Sequence, residues 1–488
     1  MTDISATKPT PEPTPEPPPE PRSLSAKFNT LVPLIIGAAM MIQTLNATVI
    51  VNALPAMGKS LNESPLHLQF AITAYLLASA VFLPIGGWIA DRYGTRTVFH
   101  TAVGLYILAC LFCGLAQTFP QLVLARVLGG AAGAVMLPVG RLILLKTVEK
   151  SDLVRAMSYL SMPALLGPVI GPILGGFFVT YGSWRWIFFI NVPIGLAALV
   201  LISLYVPDIR ETVRQRLDVK GFLLSGIGLA ALVYGLQNLG QDLLPWPAIT
   251  GLIALGSLCG FFYILHARRK QGPIVDLSLL GNRSFYASVV GGQFTRMVIG
   301  ASPFLLTLLL QVSFGLSAFV TGLITFTGAA AALLMKFTAR PIIRWLGFRT
   351  VLTVNSVIVG VSVLTYGLFT RSTPHSLIIA VLLIGGFFRS LQFTALGALA
   401  YVDVEPANMS SGSVLLGMSQ PLAQSLGVGI AASLMQVLVS PSGANMGQET
   451  AIRLTFIGLG LIPFLAMPIF LALPKDVGAE VSGHNLRV

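Results

Sequence analysis

Four arginines lie inside long apolar runs of the sequence: Arg126, Arg141, Arg296 and Arg389. If these runs cross a bilayer, an arginine near its centre costs at least about 3 kcal/mol on insertion scales, so each is expected to face protein or a water-filled cavity. Gln293 precedes Arg296 by one turn and Gln392 follows Arg389 by one turn, which predicts hydrogen-bonded pairs. Two interpretations stay open: the arginines bond helix carbonyls and lock the helices together, or they line a cavity for an anionic or neutral polar substrate.

Uncharged polar residues extend this set. Thr44, Thr48 and Asn52 repeat at four-residue spacing in the first apolar run. Such stripes serve either helix contacts or the lining of a cavity. The candidate cavity residues are Gln43, Asn46, Arg126, Arg141, Gln293, Arg296, Arg389, Gln392, Gln420 and Gln424.

Titratable acids are confined to the edges of the apolar runs. All 18 acidic residues fall in the N-terminal tail, in loops or at run ends, and no histidine lies well inside a run. Cys110 and Cys113 have no second cysteine pair or histidine beside them, so a packing role is predicted, with no metal and no cofactor. A membrane-embedded enzyme would need clustered acids, histidines or metal ligands, so the sequence does not predict an enzyme.

One loop pattern combines charge with glycine. Within the segment Gly86–Arg96, residues Arg92–Arg96 recur with one extra residue as Arg344–Arg349. Gly94 allows a tight turn, and Asp91 can pair with arginines at the mouth of a bundle. A pair made in one conformation and broken in another biases a two-state protein. The predicted conformational switch comprises Asp91, Arg92, Gly94, Arg96, Arg344, Gly347 and Arg349.

A second pattern alternates glycine with proline. Its residues are Gly167, Pro168, Gly171, Pro172, Gly175 and Gly176. Glycines every four residues give one flat helix face that allows close packing. Each proline removes a backbone donor and can bend the helix. Packing and a hinge or ion-tight seal are compatible interpretations of this face.

Composition tells which elements must position these residues. The chain has 488 residues, of which 55% are hydrophobic and 10% charged, and its mean hydropathy is +0.82. A soluble domain carries about 25% charge, so a polytopic membrane protein is predicted. Fourteen runs are long enough to span a bilayer as helices: residues 31–55, 66–90, 98–117, 121–145, 154–180, 184–206, 220–239, 248–266, 285–311, 316–338, 350–370, 375–401, 409–438 and 451–473.

The net charge of +12 indicates topology. Basic residues sit between the runs and form no single patch, so nucleic acid is not a predicted partner. With a cytoplasmic N-terminus, 22 of the 30 Lys and Arg residues fall on the inner side. This positive-inside pattern and the even number of spans place both termini in the cytoplasm. Residues 1–25 are rich in Pro and Glu and are predicted to form a disordered tail and not a signal peptide.

An offset of about 250 residues relates the first six spans to the last six, as in Arg141 and Arg389 or Gly167 and Gly417. The predicted domains are a tail (1–25), a six-helix bundle (26–206), two inserted helices (207–284), a second six-helix bundle (285–474) and a C-terminal tail (475–488). Parallel repeats of this kind place a substrate path between the halves.

These motifs resemble those of the major facilitator superfamily. Gly86–Arg96 is similar to its motif A, Arg126–Gly133 to motif B and Gly167–Gly176 to motif C, which is associated with antiporters. Asn46–Pro55 and Trp184–Pro193 resemble segments of the fourteen-span drug:proton antiporters of EmrB/QacA type. The chain departs from that branch at Asn46, where an acid is usual, and at Ile343, where Asp91 stands in the first copy.

The resemblance implies an all-α major facilitator fold with fourteen transmembrane helices, working by alternating access. It implies export of a multidrug type of substrate, a small amphipathic compound, with proton antiport, by a monomer in a bacterial inner membrane. The missing buried acid and the surplus of buried arginines favour an alternative, an exporter or facilitator of an anionic metabolite. The predicted partners are a small-molecule substrate, the lipid bilayer and protons.

Overall fold

A computed structural model describes residues 26–148, 153–209, 217–238, 244–270, 272–405, 408–439 and 444–482. Its helices are α1 Ala26–Leu61, α2 Pro65–Phe82, α3 Ile85–Tyr93, α4 Thr95–Leu115, α5 Phe119–Thr147, α6 Leu153–Tyr181, α7 Trp186–Phe189, α8 Asn191–Tyr205, α9 Val219–Gln237, α10 Trp246–Arg269, α11 Arg283–Tyr286, α12 Gly292–Thr307, α13 Ala318–Tyr366, α14 His375–Leu399, α15 Met409–Val439, α16 Gln448–Leu461, α17 Met467–Leu471 and α18 Ala479–Ser482. The predicted tail at residues 1–25 lies outside the described residues.

Thirteen of the described helical segments are long and apolar enough to cross a membrane. The longest, α13, contains two of the predicted spans, because the backbone leaves helical geometry at Gly347 (φ 75°, ψ 160°) and then resumes it. Counting α13 twice gives the fourteen crossings that the sequence predicts. The predicted all-α architecture, with fourteen apolar segments long enough to cross a membrane, is therefore confirmed over the described residues.

Two short π-helical turns interrupt the ninth span. They cover Ala287–Gly291, before α12, and Leu308–Ser313, after it. Such turns often mark functional sites, because they shift the helical hydrogen-bond register. Helix starts elsewhere follow ordinary capping: the side chain of Ser64 accepts from the amide of His67 at α2, and that of Ser317 from Val320 at α13.

The ends of the helices define two faces of the molecule. We call the face that carries the Tyr93–Thr95 turn the basic end, and the face that carries the Leu61–Pro65 turn the far end. We call α1–α8 the N-terminal group and α11–α17 the C-terminal group.

The two groups share one apolar core at the far end, while toward the basic end most core residues belong to clusters within a single group. A further, smaller cluster joins Leu83 and Ala134 of the N-terminal group to Phe285 and Leu415 of the C-terminal group, beside α10. The far-end cluster joins both groups and includes Leu54, Met57, Leu68, Leu305, Leu309 and Met435, all fully buried. Toward the basic end, one cluster contains residues of α1, α4, α5 and α8, and a different cluster contains residues of α13, α14 and α17. The far end is therefore closed by apolar packing between the groups.

Helices α9 and α10 pack beside the line where α2 meets α15. Tyr234 of α9 stacks edge-on against Phe70 of α2 at 5.9 Å, and Gln237 donates to the carbonyl oxygen of Ser425 of α15 at 3.1 Å. The Ser425 hydroxyl in turn donates to the carbonyl oxygen of Thr73 of α2 at 3.4 Å. The inserted helices thus contact both groups.

Candidate functional site

The turn between α3 and α4 is built around Gly94. Its φ of 95° belongs to a region that side-chain-bearing residues rarely adopt, and a Cβ there would overlap the carboxylate of Asp208. The amide of Thr95 donates to the carbonyl oxygen of Ile209 at 3.0 Å, and Arg96 donates to the carbonyl oxygen of Ser203. The turn is therefore fixed against the segment that follows α8.

The remaining charges of this motif face outward. The guanidinium of Arg92 is exposed and lies 5.7 Å from the ring of Trp88 and 5.8 Å from that of Tyr93. Asp91 is half-buried on α3. Its pairing with arginines of the C-terminal group stays a prediction.

The second copy of the motif reproduces the backbone turn but not the acid. Gly347 has a φ of 75°, close to the conformation of Gly94, while Arg344 is exposed and Arg349 half-buried. Ile343, which stands where Asp91 stands in the first copy, is buried in the core of the C-terminal group. An acid at that position would have to be desolvated, which explains an apolar residue there.

The glycine–proline motif packs α6 directly on α1. A Cβ on Gly167 would overlap the hydroxyl of Thr44, and one on Gly171 would overlap that of Thr48. Because Pro168 has no amide hydrogen, the carbonyl of Ala164 has no helical donor. The Thr44 hydroxyl donates to that carbonyl at 2.9 Å. Thr44 thus serves helix contact, one of the two interpretations left open for the polar stripe.

The far end of the same motif touches the C-terminal group. A Cβ on Gly176 would overlap the backbone of Ala318, and a Cβ on Gly322 would overlap the carbonyl of Pro172. The hydroxyl of Thr180 accepts from the amide of Phe319 at 3.0 Å. One glycine–proline segment therefore joins α6 both to α1 and to α13.

Asn46 and Arg126 bind each other inside the N-terminal group. The Arg126 side chain is 1% exposed and donates to the Asn46 amide oxygen at 3.0 Å and to the carbonyl oxygen of Ala71 at 3.1 Å. It lies 4.2 Å from the ring centroid of Tyr75. These contacts match the interpretation of an arginine that locks helices together. Nearby, Gln43 donates to the carbonyl oxygen of Gly133 at 3.0 Å.

Arg296 is also 1% exposed, but it is less well satisfied. One terminal nitrogen donates to the carbonyl oxygen of Ser288, in the π-helical turn, at 3.0 Å. Its Nε and its second terminal nitrogen are buried and have no partner among the described residues. The predicted pair with Gln293 is wrong, since the side chain folds back toward Ser288; Gln293 itself is half-buried.

Arg389 is the half-buried arginine near the middle of α14. Its Nε donates to the carbonyl oxygen of Gly385 at 3.1 Å, and its guanidinium lies 6.0 Å from the ring centroid of Tyr366. Its terminal nitrogens make no hydrogen bond within the described part of the chain. The small residue Gly328 leaves space beside them. Tyr366, which the sequence did not single out, has a buried hydroxyl with no partner among the described residues.

Gln392 does not pair with Arg389. It is fully buried, accepts from the amide of Asn355 at 2.9 Å and donates to the hydroxyl of Ser356 at 3.1 Å. The predicted Arg389–Gln392 pair is wrong, because Gln392 lies on the face of α14 that packs against the second half of α13. Sequence spacing alone does not show which face of a helix has a polar neighbour.

The other candidates lie apart from these contacts. Arg141 is exposed in the last two turns of α5, whereas Arg389, its partner in the predicted repeat, lies at mid-helix. Gln420 and Gln424 are half-buried on α15, with Gln424 against Gly300 of α12. Their role as cavity residues stays a prediction, as it does for the whole set. The described residues contain no group of three His, Cys, Asp or Glu side chains that could hold a metal ion.

Comparison with known proteins gives one consistent family. The family model of the Major Facilitator Superfamily matches residues 36–427. A candidate multidrug resistance protein named MdtD, from Escherichia coli O157:H7 strain EC4115, is 35% identical over 453 residues, covering 92% of this chain and 95% of that protein. The protein of the same name from Pectobacterium carotovorum subsp. carotovorum strain PC1 is 35% identical over 445 residues, covering 91% and 95%.

Solved structures agree on the fold. A D-xylose-proton symporter matches with a TM-score of 0.66 at 14% identity, covering 92% of this chain and 99% of that one. A bacterial homologue of the human lysosomal transporter Spinster matches with a TM-score of 0.64 at 15% identity, covering 92% and 97%.

Proposed function

Because the chain belongs to the major facilitator superfamily, and is thus a multi-pass membrane protein and a secondary transporter, we propose that it exports small amphipathic compounds of the multidrug type. The observation that carries this proposal is the closed far end, where the antiporter-type motif of α6 packs against α13 without intervening side chains. Toward the basic end most core residues belong to clusters within a single group, and a smaller cluster around Leu83, Phe285 and Leu415 joins the two, so fewer apolar contacts oppose relative movement there than at the far end. The molecule thus fits one state of an alternating-access cycle.

Direction follows from the charges and the relatives. We place the basic end and both termini in the cytoplasm of a bacterial cell, as the distribution of Lys and Arg favours. The substrate would enter between the N-terminal and C-terminal groups from the cytoplasm and leave at the far end. The two six-helix bundles would move as rigid bodies within a monomer.

Proton antiport is the proposed coupling. The acids of the described residues lie in loops or at helix ends, so a proton carrier of the buried-carboxylate type is not supported. Asp91, half-buried in the motif at the basic end, is the proposed proton-coupling residue. Its protonation would alter its attraction for nearby arginines and so bias the conformation.

Transport into everted membrane vesicles tests both the proposed export and the proposed coupling to protons. We expect vesicles with the protein to accumulate amphipathic dyes when an inward-acidic pH gradient is present, and to lose accumulation when the gradient is collapsed. Asp91→Asn should remove the effect of the gradient. Accumulation that ignores the gradient would contradict proton coupling, and no accumulation of any compound would contradict export.

A second candidate function is export of anionic compounds. The observation that favours it is Arg389, whose terminal nitrogens have no partner among the described residues and which has no carboxylate beside it. An uncompensated cation in a low-dielectric site attracts an anionic group.

A comparison of matched acid and amide substrates separates export of anionic compounds from export of amphipathic compounds in general. For the anionic function we expect carboxylate-bearing amphiphiles to be transported better than their amide analogues, and Arg389→Gln to remove the preference. Arg340 is an exposed arginine of α13, so Arg340→Gln is the matched control and should keep the preference for the acid over the amide. Equal transport of acid and amide by the unmodified protein would contradict an anion site.

A further inference from the structure

Asn52 of α1 is a buried polar residue that connects three helices. Its side chain is 3% exposed. Its amide group donates to the carbonyl oxygen of Pro172 of α6 at 2.9 Å, and its amide oxygen accepts from the hydroxyl of Thr307 of α12 at 3.1 Å. Its backbone carbonyl oxygen accepts from the side-chain amide of Gln311 at 3.0 Å. One residue of the N-terminal group thus holds two residues of the C-terminal group.

The partners of Asn52 belong to the two features that mark this region. Pro172 is part of the glycine–proline motif, and its carbonyl also lies against Gly322 of α13. Thr307 ends α12, and Gln311 lies in the π-helical turn that follows. The hydrogen bonds therefore join the antiporter-type motif to the interrupted ninth span.

The neighbours of Asn52 along α1 and across α12 are mostly apolar. Ile50, Ala53 and Leu54 are fully buried neighbours in the far-end cluster, which also contains Leu305 and Leu308. A hydrogen bond in such a medium is stronger than one exposed to water, and a group that loses its partner there is costly to leave unpaired. Separation of α1 from α12 becomes tolerable once water enters and satisfies Thr307 and Gln311.

We propose that Asn52 is the latch of the far-end gate: its bonds to Thr307 and Gln311 hold the far end closed, while its bond to Pro172 ties that closure to the glycine–proline motif. The proposal rests on the alternating-access function above. It assigns a role to the Asn46–Pro55 segment that is separate from substrate binding. Asn52 acts as a positioning residue, since it contacts the gate and no substrate.

The test measures the far-end distance directly. Spin labels are placed at Lys59, at the end of α1, and at His375, at the start of α14, both exposed. We expect the unmodified protein without substrate to give mainly the short distance. Asn52→Ala should increase the ratio of long to short distances at least about tenfold, which corresponds to about 1.4 kcal/mol.

Two further variants keep the test sharp. Thr307→Val and Gln311→Leu remove the partners that the C-terminal group supplies, and each should increase the ratio of long to short distances. The double variant Asn52→Ala/Thr307→Val should increase this ratio by less than the two single variants together would predict. Asn191→Ala is the control, because Asn191 is equally buried but donates only to the carbonyls of Ile187 and Phe188 in its own turn.

An unchanged distance distribution in Asn52→Ala and Thr307→Val, or an equal shift in Asn191→Ala, would overturn the latch. The readout needs no substrate. A protein that transports no tested compound but shows the expected shifts would therefore contradict the proposed substrate class and leave the latch supported.

Discussion

Arg126, Arg296 and Arg389 are one residue type in three environments, and their contacts separate their roles. Arg126 bonds an amide oxygen and a carbonyl and lies over an aromatic ring. Arg296 reaches a carbonyl of its own span, and Arg389 leaves its terminal nitrogens free of described partners. The more completely an arginine is satisfied by protein, the less it can contribute to substrate binding.

Removing Arg126 should destabilise the N-terminal group. Arg126→Ala leaves the Asn46 amide oxygen without a donor in a buried site and removes the contacts of a buried side chain with Ala71 and Tyr75, so we expect a loss of at least about 2 kcal/mol. Arg340→Ala, on the exposed side of α13, should stay within about 0.5 kcal/mol. Thermal unfolding of the purified protein in detergent measures both. Equal melting temperatures would contradict the locking role.

The motif loop offers a matched glycine pair. Gly94→Ala forces a side chain into a positive φ and against Asp208, so a loss of about 1–2 kcal/mol or more is expected. Gly87→Ala lies in the helical part of the same motif with open space around the new methyl group, and should be neutral or stabilising by up to about 1 kcal/mol. The melting temperatures of the two variants decide whether the turn needs glycine.

At the residue scale, local requirements could be predicted and long-range contacts could not. The first motif copy predicted a tight turn at Gly94, and both Gly94 and its counterpart Gly347 adopt positive φ. The Asn46–Arg126 contact joins positions 80 residues apart, so it depends on the rotation of α1 against α5. The Arg389–Gln392 pair failed because Gln392 bonds Asn355 of α13. The Arg296–Gln293 pair failed because Arg296 reaches back to the carbonyl of Ser288.

Among the elements, α9 is the one whose role was least visible in the sequence. Its length and apolarity predicted a span, but its clamp on α15 depends on Gln237, which bonds the carbonyl and hydroxyl of Ser425 at 3.1 and 3.0 Å. The Ser433 hydroxyl donates back to the carbonyl of Gln237 at 3.0 Å. The inserted pair is therefore attached to the C-terminal group by polar bonds as well as by apolar packing.

Gln237→Leu should loosen α9. The substitution removes two side-chain hydrogen bonds in a buried site, each worth about 0.5–1.5 kcal/mol net, while the Ser425 hydroxyl keeps its bond to Thr73. We expect faster hydrogen exchange over Val219–Gln237 than in the unmodified protein. Gln436→Leu, a half-buried glutamine of α15 with no hydrogen bond among the described residues, is the control and should not change that exchange rate. Unchanged exchange in Gln237→Leu would refute the clamp.

The start of α9 carries an ionic cap with a defined pH response. Burial raises the pKa of Asp218. Hydrogen bonds from Lys270, from the amide of Gly221 and from His266 lower it by more than burial raises it, so the pKa falls from an ordinary 3.8 to about 2. Lys270 Nζ and His266 Nε2 each lie 2.9 Å from Asp218 Oδ1. The folded state thus binds the proton less tightly than the unfolded state does.

Because the pKa of Asp218 is lowered in the folded state, its contribution to stability depends on pH in the acidic range. The stabilisation by Asp218 is fully present above about pH 4 and is lost as pH falls toward about 2. We expect the melting temperature of Asp218→Asn, which keeps a capping side chain, to lie below that of the unmodified protein at pH 5, and the gap to narrow below pH 4. A gap that grows on acidification would contradict this assignment.

For the whole molecule, the decisive feature is the difference between its two ends. The fourteen crossings and the relation to transporters follow from hydropathy and motifs. Which end is closed does not, because it depends on packing between α6 and α13 and between α1 and α12, over separations of more than a hundred residues. These contacts lead us to expect that the far end opens when the basic end closes.

Two label pairs in one preparation test that claim most directly. One pair sits at Lys59 and His375 at the far end, and the other at Thr97 and Thr350, the exposed residues that follow the two motif loops at the basic end. Cys259 is replaced by Ser, while Cys110 and Cys113 are buried. With a transported compound and an imposed pH gradient, we predict that the far-end distance lengthens in the same fraction of molecules in which the basic-end distance shortens. A far-end distance that changes while the basic-end distance stays constant would contradict alternating access.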